Sequence, residues 1–529
     1  MYGTQFPAFS QLQRMCPDHV DTLLTETDQE MYVSVRGPDV RPIVELLRRD
    51  HDARIVTVFA EDRCAHEGLF FNYYVLEQRE NFQYLILRAP VPCAEPEFPS
   101  LSAEFPALNW QEREMQDWFG LKAVGHPNPR RVAMHDNWPD VHPLRKDFSL
   151  QTPMPHFVGE RHLYRPAIGE GVLQIPVGPV HASIIEPGHF SFAVAGEPIL
   201  YLQLRMFYTH KGTEKLFEHL LVHKAVFLAE SISGDSSFSH GTAFCQAIER
   251  AAGLEVPPVA LIARTLLLEL ERVYNHVADI GAIATDVGFV VANAHAGRIR
   301  EMLLGLNERL TGNRLLRGMV CIGGVRRPWR ESDLDALAHT LTEFAQEFDD
   351  LIELIYSSNS TRDRLERTGV LSPDKARDLG IIGVGGRASG VDLDVRRDHP
   401  YAAYSGLSFK VPVYQAGDVW HRMQIRMDEV KESLILMRAA AKLNLEGAHC
   451  APPCPIPPGL YAMSSVEGWR GEIVHWLRTG ENNRLERCKI KDPSLNNWPA
   501  LVEAVQGNII ADFPVINKSF NLSYSGTDR

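Results

Sequence analysis

The first part of the chain alternates apolar and polar positions in short runs that predict a small α/β unit. Three runs rich in β-branched and aromatic residues predict strands, at Arg54–Ala60, Leu69–Val75 and Asn81–Arg88. Apolar residues at helical spacing predict helices over Pro42–Arg49 and Trp110–Phe119. Residues 125–157 are dense in His, Pro, Arg and Asp and lack periodicity, which predicts an ordered surface excursion followed by a linker.

The second part of the chain is mainly helical in its pattern. Two strand-like runs come first, at Gly188–Val194 and Pro198–Leu204, and residues from Gly459 onward are mixed. Apolar residues at i, i+3 and i+4 predict four helices, over Leu216–Glu230, Val259–Ile280, Ser332–Tyr356 and Gly417–Leu443. Gly305 and Gly312 predict a break between helices, and Ser332 to Asp335 predicts an N-terminal cap.

These elements predict an α+β fold, in which a small N-terminal α/β domain precedes a large helical-bundle domain with peripheral β strands. We place the first domain at residues 1–150, a linker at 151–172 and the second domain at 173–529.

Charge and composition exclude several classes of protein. The 54 Lys and Arg residues against 67 Asp and Glu give a net charge of −13, and such an acidic surface repels nucleic acid. We find no run of 18 apolar residues, and Met1–Gln5 does not resemble the start of a signal peptide. We therefore expect a cytoplasmic chain that reaches a membrane only through partners. Eight sparse cysteines predict free thiols, at positions Cys16, Cys64, Cys93, Cys245, Cys321, Cys450, Cys454 and Cys488.

Several familiar ligand motifs are missing from the sequence. There is no phosphate-binding G-x-x-x-x-G-K-[ST] loop, and Gly383–Gly390 lacks the spacing of a dinucleotide site. The Cys450–Cys454 pair is separated by three residues, so a plain loop is a better interpretation than a metal site. Without a C-x-x-C segment, the chain is not expected to hold an iron–sulfur cluster through four thiolates of its own.

Charged residues cluster in the first part of the chain, in Glu112–Glu114, Asp117, Gly125–Arg131 and His142–Asp147. They are either a catalytic cluster or a network that holds the irregular excursion in place. We favour the network, because no activated nucleophile accompanies them.

A second set of motifs lies in the helical part of the chain. Its members are Gly178–His181, Glu186–Phe190, Tyr208–Lys215, Glu230–His240, Ile322–Arg326, Arg387–Gly390 with Asp394–Arg396, and Asn521–Arg529. With both sets of motifs, the chain resembles a fusion of the C-type and D-type peripheral-arm subunits of respiratory complex I. It resembles more closely the large subunit of group 4 membrane-bound [NiFe]-hydrogenases, of the formate hydrogenlyase type.

The metal-ligand positions depart from this resemblance. In the hydrogenases four thiolates hold nickel and iron, two before a Phe-Ala-His and two before the final Thr-Asp-Arg. The corresponding positions here are Ser233, Ser236, Ser523 and Gly526. Soft thiolates suit such metals and neutral hydroxyls do not, so we expect no metal centre and no cofactor bound by this chain.

The resemblance to complex I implies a possible quinone site, which is also incomplete. The quinone-binding tyrosine of that family aligns with Gly234, and its histidine lies where this chain has extra residues, from Ala182 to Gly188. Polar groups here either line a working proton-coupling cavity or form an inert remnant, and the sequence leaves both open. The candidates are His181, Glu186, His189, Asp235, His240, Glu269 and Arg387.

The resemblance implies a core subunit of an energy-converting redox complex. The implied partners are a small B-type subunit with a 4Fe-4S cluster, a ferredoxin-like subunit, and antiporter-like and H-type membrane subunits on the inner face of the cell membrane. The alternatives are a non-redox scaffold subunit of a formate hydrogenlyase-like complex and, less favoured, a free-standing metalloenzyme using His181 and His240. The catalytic residues stay unknown at this point.

Overall fold

The computed structural model describes residues 13–14, 20–26, 29–79, 83–151, 153–159, 162, 164–182, 185–443 and 446–529 of the chain. The start of the chain, Cys16, and the first two residues of the predicted strand Asn81–Arg88 lie outside the described residues. The chain divides into two compact units, Met1–Leu163 and Tyr164–Arg529. This division falls inside the segment 151–172, while the domain bounds themselves stay a prediction.

The first unit is built on a five-stranded sheet. Its strands are β1 (Val20–Glu26), β2 (Glu30–Val35), β3 (Ala53–Arg63), β4 (Leu69–Gln78) and β5 (Gln83–Pro92). They lie in the order β1-β2-β5-β4-β3, with β2 and β5 parallel and the other neighbours antiparallel. The three predicted strands of this part of the chain are confirmed.

In the described part of the first unit, three α-helices and a small sheet accompany the five-stranded sheet. They are α1 (Val40–His51), α2 (Cys64–Glu67), α3 (Asn109–Phe119) and the parallel pair β6 (Glu97–Pro99) and β7 (Lys122–Val124). Helix α1 buries Val40, Ile43, Val44 and Leu47, which lie on one face at helical spacing. Both predicted helices are therefore present.

The predicted charged network does hold the irregular excursion in place. Arg113 on α3 donates to the carbonyls of Arg130 and Arg131. Asp117 accepts hydrogen bonds from the backbone amides of Val132, Ala133 and Met134. The side chains of α3 thus supply hydrogen-bond partners to the backbone of residues 130–134, which belongs to no helix or sheet.

Two cysteines of the first unit contradict the expectation of free thiols. Cys64 and Cys93 form a disulfide with a Cα–Cα distance of 6.0 Å. The pairing joins the start of α2 to the residue after β5, where Cys93 N also donates to the carbonyl of Gly68. Sequence spacing alone could not show that two strands bring these thiols together.

The second unit contains most of the helices. They are α4 (Thr213–Phe217), α5 (Val222–Ala229), α6 (Ser237–Ala252), α7 (Pro258–Asp286), α8 (Val290–Thr311), α9 (Glu331–Tyr356), α10 (Asn359–Leu365), α11 (Pro373–Asp378), α12 (Gly383–Ala388), α13 (Val395–Asp398), α14 (Val419–Ala440), α15 (Pro493–Ala504), α16 (Phe513–Phe520) and α17 (Tyr524–Asp528). Together with the sheets, they confirm the predicted α+β class.

Three sheets accompany these helices. They are antiparallel: β8 (Val172–Val177), β9 (His189–Ala195) and β10 (Ile199–Arg205); β11 (Val320–Cys321) and β12 (Gly324–Val325); and β13 (Tyr461–Gly468), β14 (Gly471–Thr479) and β15 (Leu485–Lys491). The sheet β13–β15 packs against α6 and is buried along most of its length.

The centre of the second unit is helix α7, which packs against α8, α14 and α16. Its buried leucines Leu266, Leu267 and Leu270 contribute about 1.5–3 kcal/mol each on burial. The same helix also buries charged and polar residues on every turn between Arg264 and Asp279. A helix that is buried all round and still carries charges must find partners for them inside the core.

Three predictions about helices need correction. The predicted helix Leu216–Glu230 is two helices, because the backbone at Glu218 is extended and His219 has a φ of 62°. Gly305 lies inside α8 and only Gly312 ends it. The N-cap residue of α9 is Arg330, and its amide donates to the side chain of Asp333 in the first turn. The helix therefore begins before Ser332.

In the described part of the chain, none of the helices combines the length and the apolar character that crossing a membrane requires.

Candidate functional site

The loop between α5 and α6 carries the first two of the four ligand-equivalent positions. Ser233 and Ser236 are buried, while Asp235 between them is 41% exposed at its side chain. The Ser233 hydroxyl donates to Asp235 Oδ1 over 2.9 Å. This loop therefore presents a carboxylate at the surface above two buried hydroxyls.

Helix α7 holds the base of this loop. Glu271 accepts from the amides of Phe238 and Ser239, at 2.7 and 3.0 Å, and so caps the start of α6. Asn275, one turn further along α7, donates to the carbonyl of Asp235 over 2.8 Å. Burial raises the pKa of Glu271 to about 7, against the hydrogen bonds that favour its charged form.

The C-terminal segment brings in the other two positions. The Ser523 hydroxyl caps α17 by accepting from Gly526 N over 2.9 Å. The same hydroxyl lies 2.8 Å from Ser233 Oγ, although 290 residues separate the two serines. The fold thus brings together the two halves of the predicted vestigial site, and these serines contact each other directly.

Arg470, in the turn between β13 and β14, is the main partner that sequence reasoning missed. Its guanidinium donates two hydrogen bonds of 2.6 Å to the carboxylate of Asp235. It lies 3.5 Å from Ser236 Oγ and stacks on the Trp469 ring at 3.9 Å. Partial desolvation acts to raise the pKa of Asp235, but Arg470 reverses this and holds the pKa below its ordinary value.

Asp492 occupies the space next to Gly526. A Cβ atom at position 526 would lie 2.6 Å from the Asp492 carboxyl carbon. Asp492 also lies 3.1 Å from His240 Nε2, and His240 Nδ1 lies 3.0 Å from His475 Nε2. All three of these side chains are buried, so His240 belongs to an aspartate–histidine–histidine chain beside the serines.

This donor set does not fit a nickel–iron centre. Soft metals of that kind require thiolates, and the positions that would supply them hold hydroxyls and a glycine. The hydroxyls of Ser233 and Ser523 form a hydrogen bond with each other, and the cationic guanidinium of Arg470 lies beside Ser236. Among the described residues, no group of three or more His, Cys, Asp or Glu side chains is arranged to hold a metal ion.

Glu269 and Arg387 lie in a second, fully buried cluster. Glu269 on α7 accepts from Arg396, at 3.1 and 3.2 Å, and from Ser433 on α14. Arg387 donates to Glu429 and Glu467, at 2.9 and 2.8 Å. Arg272, His276 and Asp394 complete this central charge cluster, which contains near-equal numbers of acidic and basic groups.

A chain of polar contacts that includes Asp279 runs from the serine site towards the central charge cluster. Asp279 accepts from Arg426 over 2.8 Å and from the side chain of Asn521 over 2.6 Å. The carbonyl of Asn521 in turn accepts from Arg470. The contacts from Arg470 to Arg426 are direct, whereas Arg426 interacts with Glu429 of the central charge cluster only through its charge. The charged residues on an otherwise apolar α7 are the sequence signal that could have revealed this route.

Glu186 reaches the same site, whereas the two other predicted residues of its segment do not. Glu186 accepts from the amide of Ser525 over 2.9 Å, in the C-terminal segment. His181 Nε2 instead lies 2.8 Å from the carbonyl of Gly188, and the His189 ring lies 5.0 Å from Tyr164. Burial lowers the pKa of His189. Residues 183 and 184 of this connection lie outside the described residues.

The glycine-rich run Gly383–Gly390 has a packing role. Gly383 has a φ of +63°, and a Cβ atom there would lie 1.9 Å from the carbonyl oxygen of Arg470. The run forms α12, which holds Arg387 in the central charge cluster. Close approach of two backbones accounts for Gly383, while side chains crowd Gly385 and Gly390.

Comparison with known families assigns the chain to a class. Residues 33–154 match the model of the respiratory-chain NADH dehydrogenase 30 Kd subunit, and residues 286–453 and 452–529 match that of the 49 Kd subunit. The chain belongs to the family in which these two subunit types are fused and which includes hydrogenase large subunits.

Individual relatives make the assignment more specific. Formate hydrogenlyase subunit 5 of Escherichia coli is 33% identical over 95% of this chain and 90% of its own length. Hydrogenase-4 component G of Escherichia coli is 33% identical over 95% of this chain and 89% of its own length. A C/D-type component of the NADH-quinone oxidoreductase of Aquifex aeolicus is 26% identical, over 95% of this chain and 96% of its own. The predicted resemblance is confirmed.

Proposed function

We propose that this chain is a core peripheral-arm subunit of a membrane-associated, energy-converting redox complex, and that it has no metal centre of its own. The single observation that carries this proposal is the direct Ser233–Ser523 contact, at 2.8 Å, in a chain of this family. A hydrogen-bonded pair of hydroxyls is a stable, uncharged replacement for thiolates, and it leaves the surrounding charged residues in place.

In this proposal, electrons pass near the serine site through an iron–sulfur cluster that a small partner protein holds. The exposed side chain of Asp235 supports this, because it places a carboxylate at the surface where a charge on a partner would be felt. A nearby change of charge shifts the pKa of buried groups and so moves protons. A quinone acceptor is compatible with this proposal.

The route through Arg470, Asn521, Asp279 and Arg426 is the proposed coupling path to the central charge cluster. Contacts along it are short. Arg470, Asp279 and Arg426 are buried, Asn521 is half-buried, and the side chain of Asp235 is 41% exposed. Interactions between charges are strong in such surroundings, because little water screens them. From the central charge cluster, the path would continue to membrane subunits of the antiporter-like and H type.

The test uses the whole complex in inverted membrane vesicles energised with NADH or, separately, with formate. We expect Asp279→Asn to retain oxidation of the donor but to lower the ion gradient formed by about tenfold. An effect of this size is within the range of typical coupling between two sites. Asp349→Asn is the matched control, because Asp349 is 69% exposed on α9 and pairs with a half-exposed lysine.

Co-purification of the partner subunits separates a coupling defect from a failure to assemble. An assembled Asp279→Asn complex with a full gradient would contradict the coupling path and favour the scaffold role in a formate hydrogenlyase-like complex. Stoichiometric nickel in the purified complex, assigned to this chain by its loss in Ser233→Ala, would contradict the absence of a metal centre.

A further inference from the structure

A pair of cysteines outside the site described above lies in contact. Cys321 at the end of β11 and Cys450 in the segment between α14 and β13 have their sulfur atoms 3.7 Å apart. Both side chains are partly exposed to solvent. The pair is 129 residues apart in sequence, so only the fold brings these thiols together.

The backbone around the pair holds the two segments in register. The amide of Val325 donates to the carbonyl of His449, and the amide of Ala451 donates to the carbonyl of Gly323. A Cβ atom at Gly324 would lie 2.2 Å from the carbonyl oxygen of His449, so only glycine allows the approach. Gly323 lies in the turn between β11 and β12, and as a glycine it can change its φ and ψ more widely than other residues.

We propose that Cys321 and Cys450 are a redox-sensitive thiol pair that low-molecular-weight disulfides oxidise to an intramolecular disulfide. The Cys450 thiolate attacks the small disulfide, forms a mixed disulfide and releases one small thiol. The Cys321 sulfur then attacks the Cys450 sulfur and releases the second small thiol. The protein loses two protons and two electrons, and these convert the small disulfide into two small thiols.

The two thiols differ in their surroundings, which assigns the order of these steps. Burial raises the pKa of Cys321 to about 12, and the adjacent Cys450 thiol reinforces this. A thiol with a high pKa is a poor attacking group, so Cys321 acts second, when the mixed disulfide is already in contact with it. The sulfur atoms must approach from 3.7 Å to about 2.05 Å, which the glycine turn and the coil segment permit.

Oxidation would fasten the segment around Cys450 to a hairpin that supports the serine site. The residues just before this hairpin contact the site loop and its flank, because Arg317 donates to Ser237 Oγ over 3.1 Å and Gly318 N donates to Glu230 over 2.9 Å. The thiol pair therefore lies where a covalent link limits motion behind the site.

The test treats the full chain with oxidised and reduced glutathione at stepped ratios, alkylates remaining thiols and identifies linked peptides by mass spectrometry. We expect a Cys321–Cys450 peptide in the wild type and in Cys454→Ser, the matched control four residues away. We expect this link to be absent in Cys450→Ser. Amide exchange around Cys450 should slow by about tenfold on oxidation, because local opening is restricted.

Free Cys321 and Cys450 at every glutathione ratio would overturn the proposal, and so would a link between Cys450 and Cys454. A Cys321–Cys450 link with unchanged amide exchange would contradict the fastening of the segment.

Discussion

At the scale of single residues, the unusual feature of this protein is the number of charges that have no access to water. Glu429 shows how they are tolerated, because it accepts from Arg387 and His276 and lies 3.5 Å from Arg272. Burial acts to raise the pKa of Glu429, but Arg387, the hydrogen bond with His276, and Arg272 hold it well below its ordinary value. Each buried charge is therefore stable only while its partners are present.

Replacing Glu429 tests this balance. We expect Glu429→Gln to lower the free energy of unfolding by about 3–5 kcal/mol, because two buried guanidinium groups lose their counter-charge. Denaturant titration measures this change. Glu301→Gln is the control, since it breaks the exposed pair with Arg314 and should cost less than about 1 kcal/mol. Equal effects of the two variants would contradict the charge balance.

Gly526 gives a second test at this scale. We expect Gly526→Ala to lower the free energy of unfolding by about 1–3 kcal/mol, because the added Cβ meets the carboxyl group of Asp492. The control is Gly297→Ala in α8, where a Cβ meets nothing within 4 Å. The free energy of unfolding of Gly297→Ala should rise by about 0.5–1 kcal/mol. The two variants are therefore expected to change stability in opposite directions. A stabilising Gly526→Ala would show that Asp492 moves freely.

At the scale of elements, helix α7 positions the site by its periodicity. Glu271 and Asn275 are four residues apart and face the loop before α6, while Arg272 and His276 face the central charge cluster. Side chains on two adjacent faces of one helix therefore contribute to two different polar clusters. The sequence predicted α7 from its leucines, but periodicity alone could not show which neighbours its charges would meet.

The cap formed by Glu271 predicts a pH dependence. Its pKa is raised from 4.5 to about 7, so the folded state binds this proton more tightly than the unfolded chain does. Its contribution to stability is complete below pH 4.5 and is lost as the pH rises through 7. We expect the stability of the wild type relative to Glu271→Gln to fall by up to about 3 kcal/mol over this range.

Denaturant titrations of both proteins at each pH measure that difference in the free energy of unfolding. Titrating groups that both proteins share cancel in the difference. A difference for Glu271→Gln that rises with pH would mean that the cap is charged throughout, and would contradict the effect of burial.

At the scale of the whole molecule, each of the two units has its own core. The first is organised by a sheet and the second by helices around α7. We expect residues 164–529 expressed alone to fold with the same thermal transition as in the intact chain, because a domain with its own core folds alone. Calorimetry of both proteins checks this. Residues 164–311 expressed alone are the control and should not fold, since they lack α14 and β13–β15.

The sequence predicted strands β3, β4 and β5 of the first unit and three long helices closely, because their apolar spacing reflects burial directly. It did not predict β1 and β2. It did not predict α8, whose exposed residues include apolar ones such as Val290 and Val291. For the site, motif positions identified Ser233 and Ser523, but Arg470 and Asp492 come from strand ends with no distinctive spacing. Contacts over hundreds of residues are set by tertiary packing, which local patterns do not record.

The central charge cluster has a consequence for how the second unit reaches its native state. Its members come from α7, α12, α13, α14 and β13, which are spread over some 200 residues from Glu269 to Glu467. Partial assembly would desolvate charges before their partners arrive, which is strongly unfavourable. These segments must therefore come together late and almost at once, so slow folding and an equally slow loss of the native state are expected.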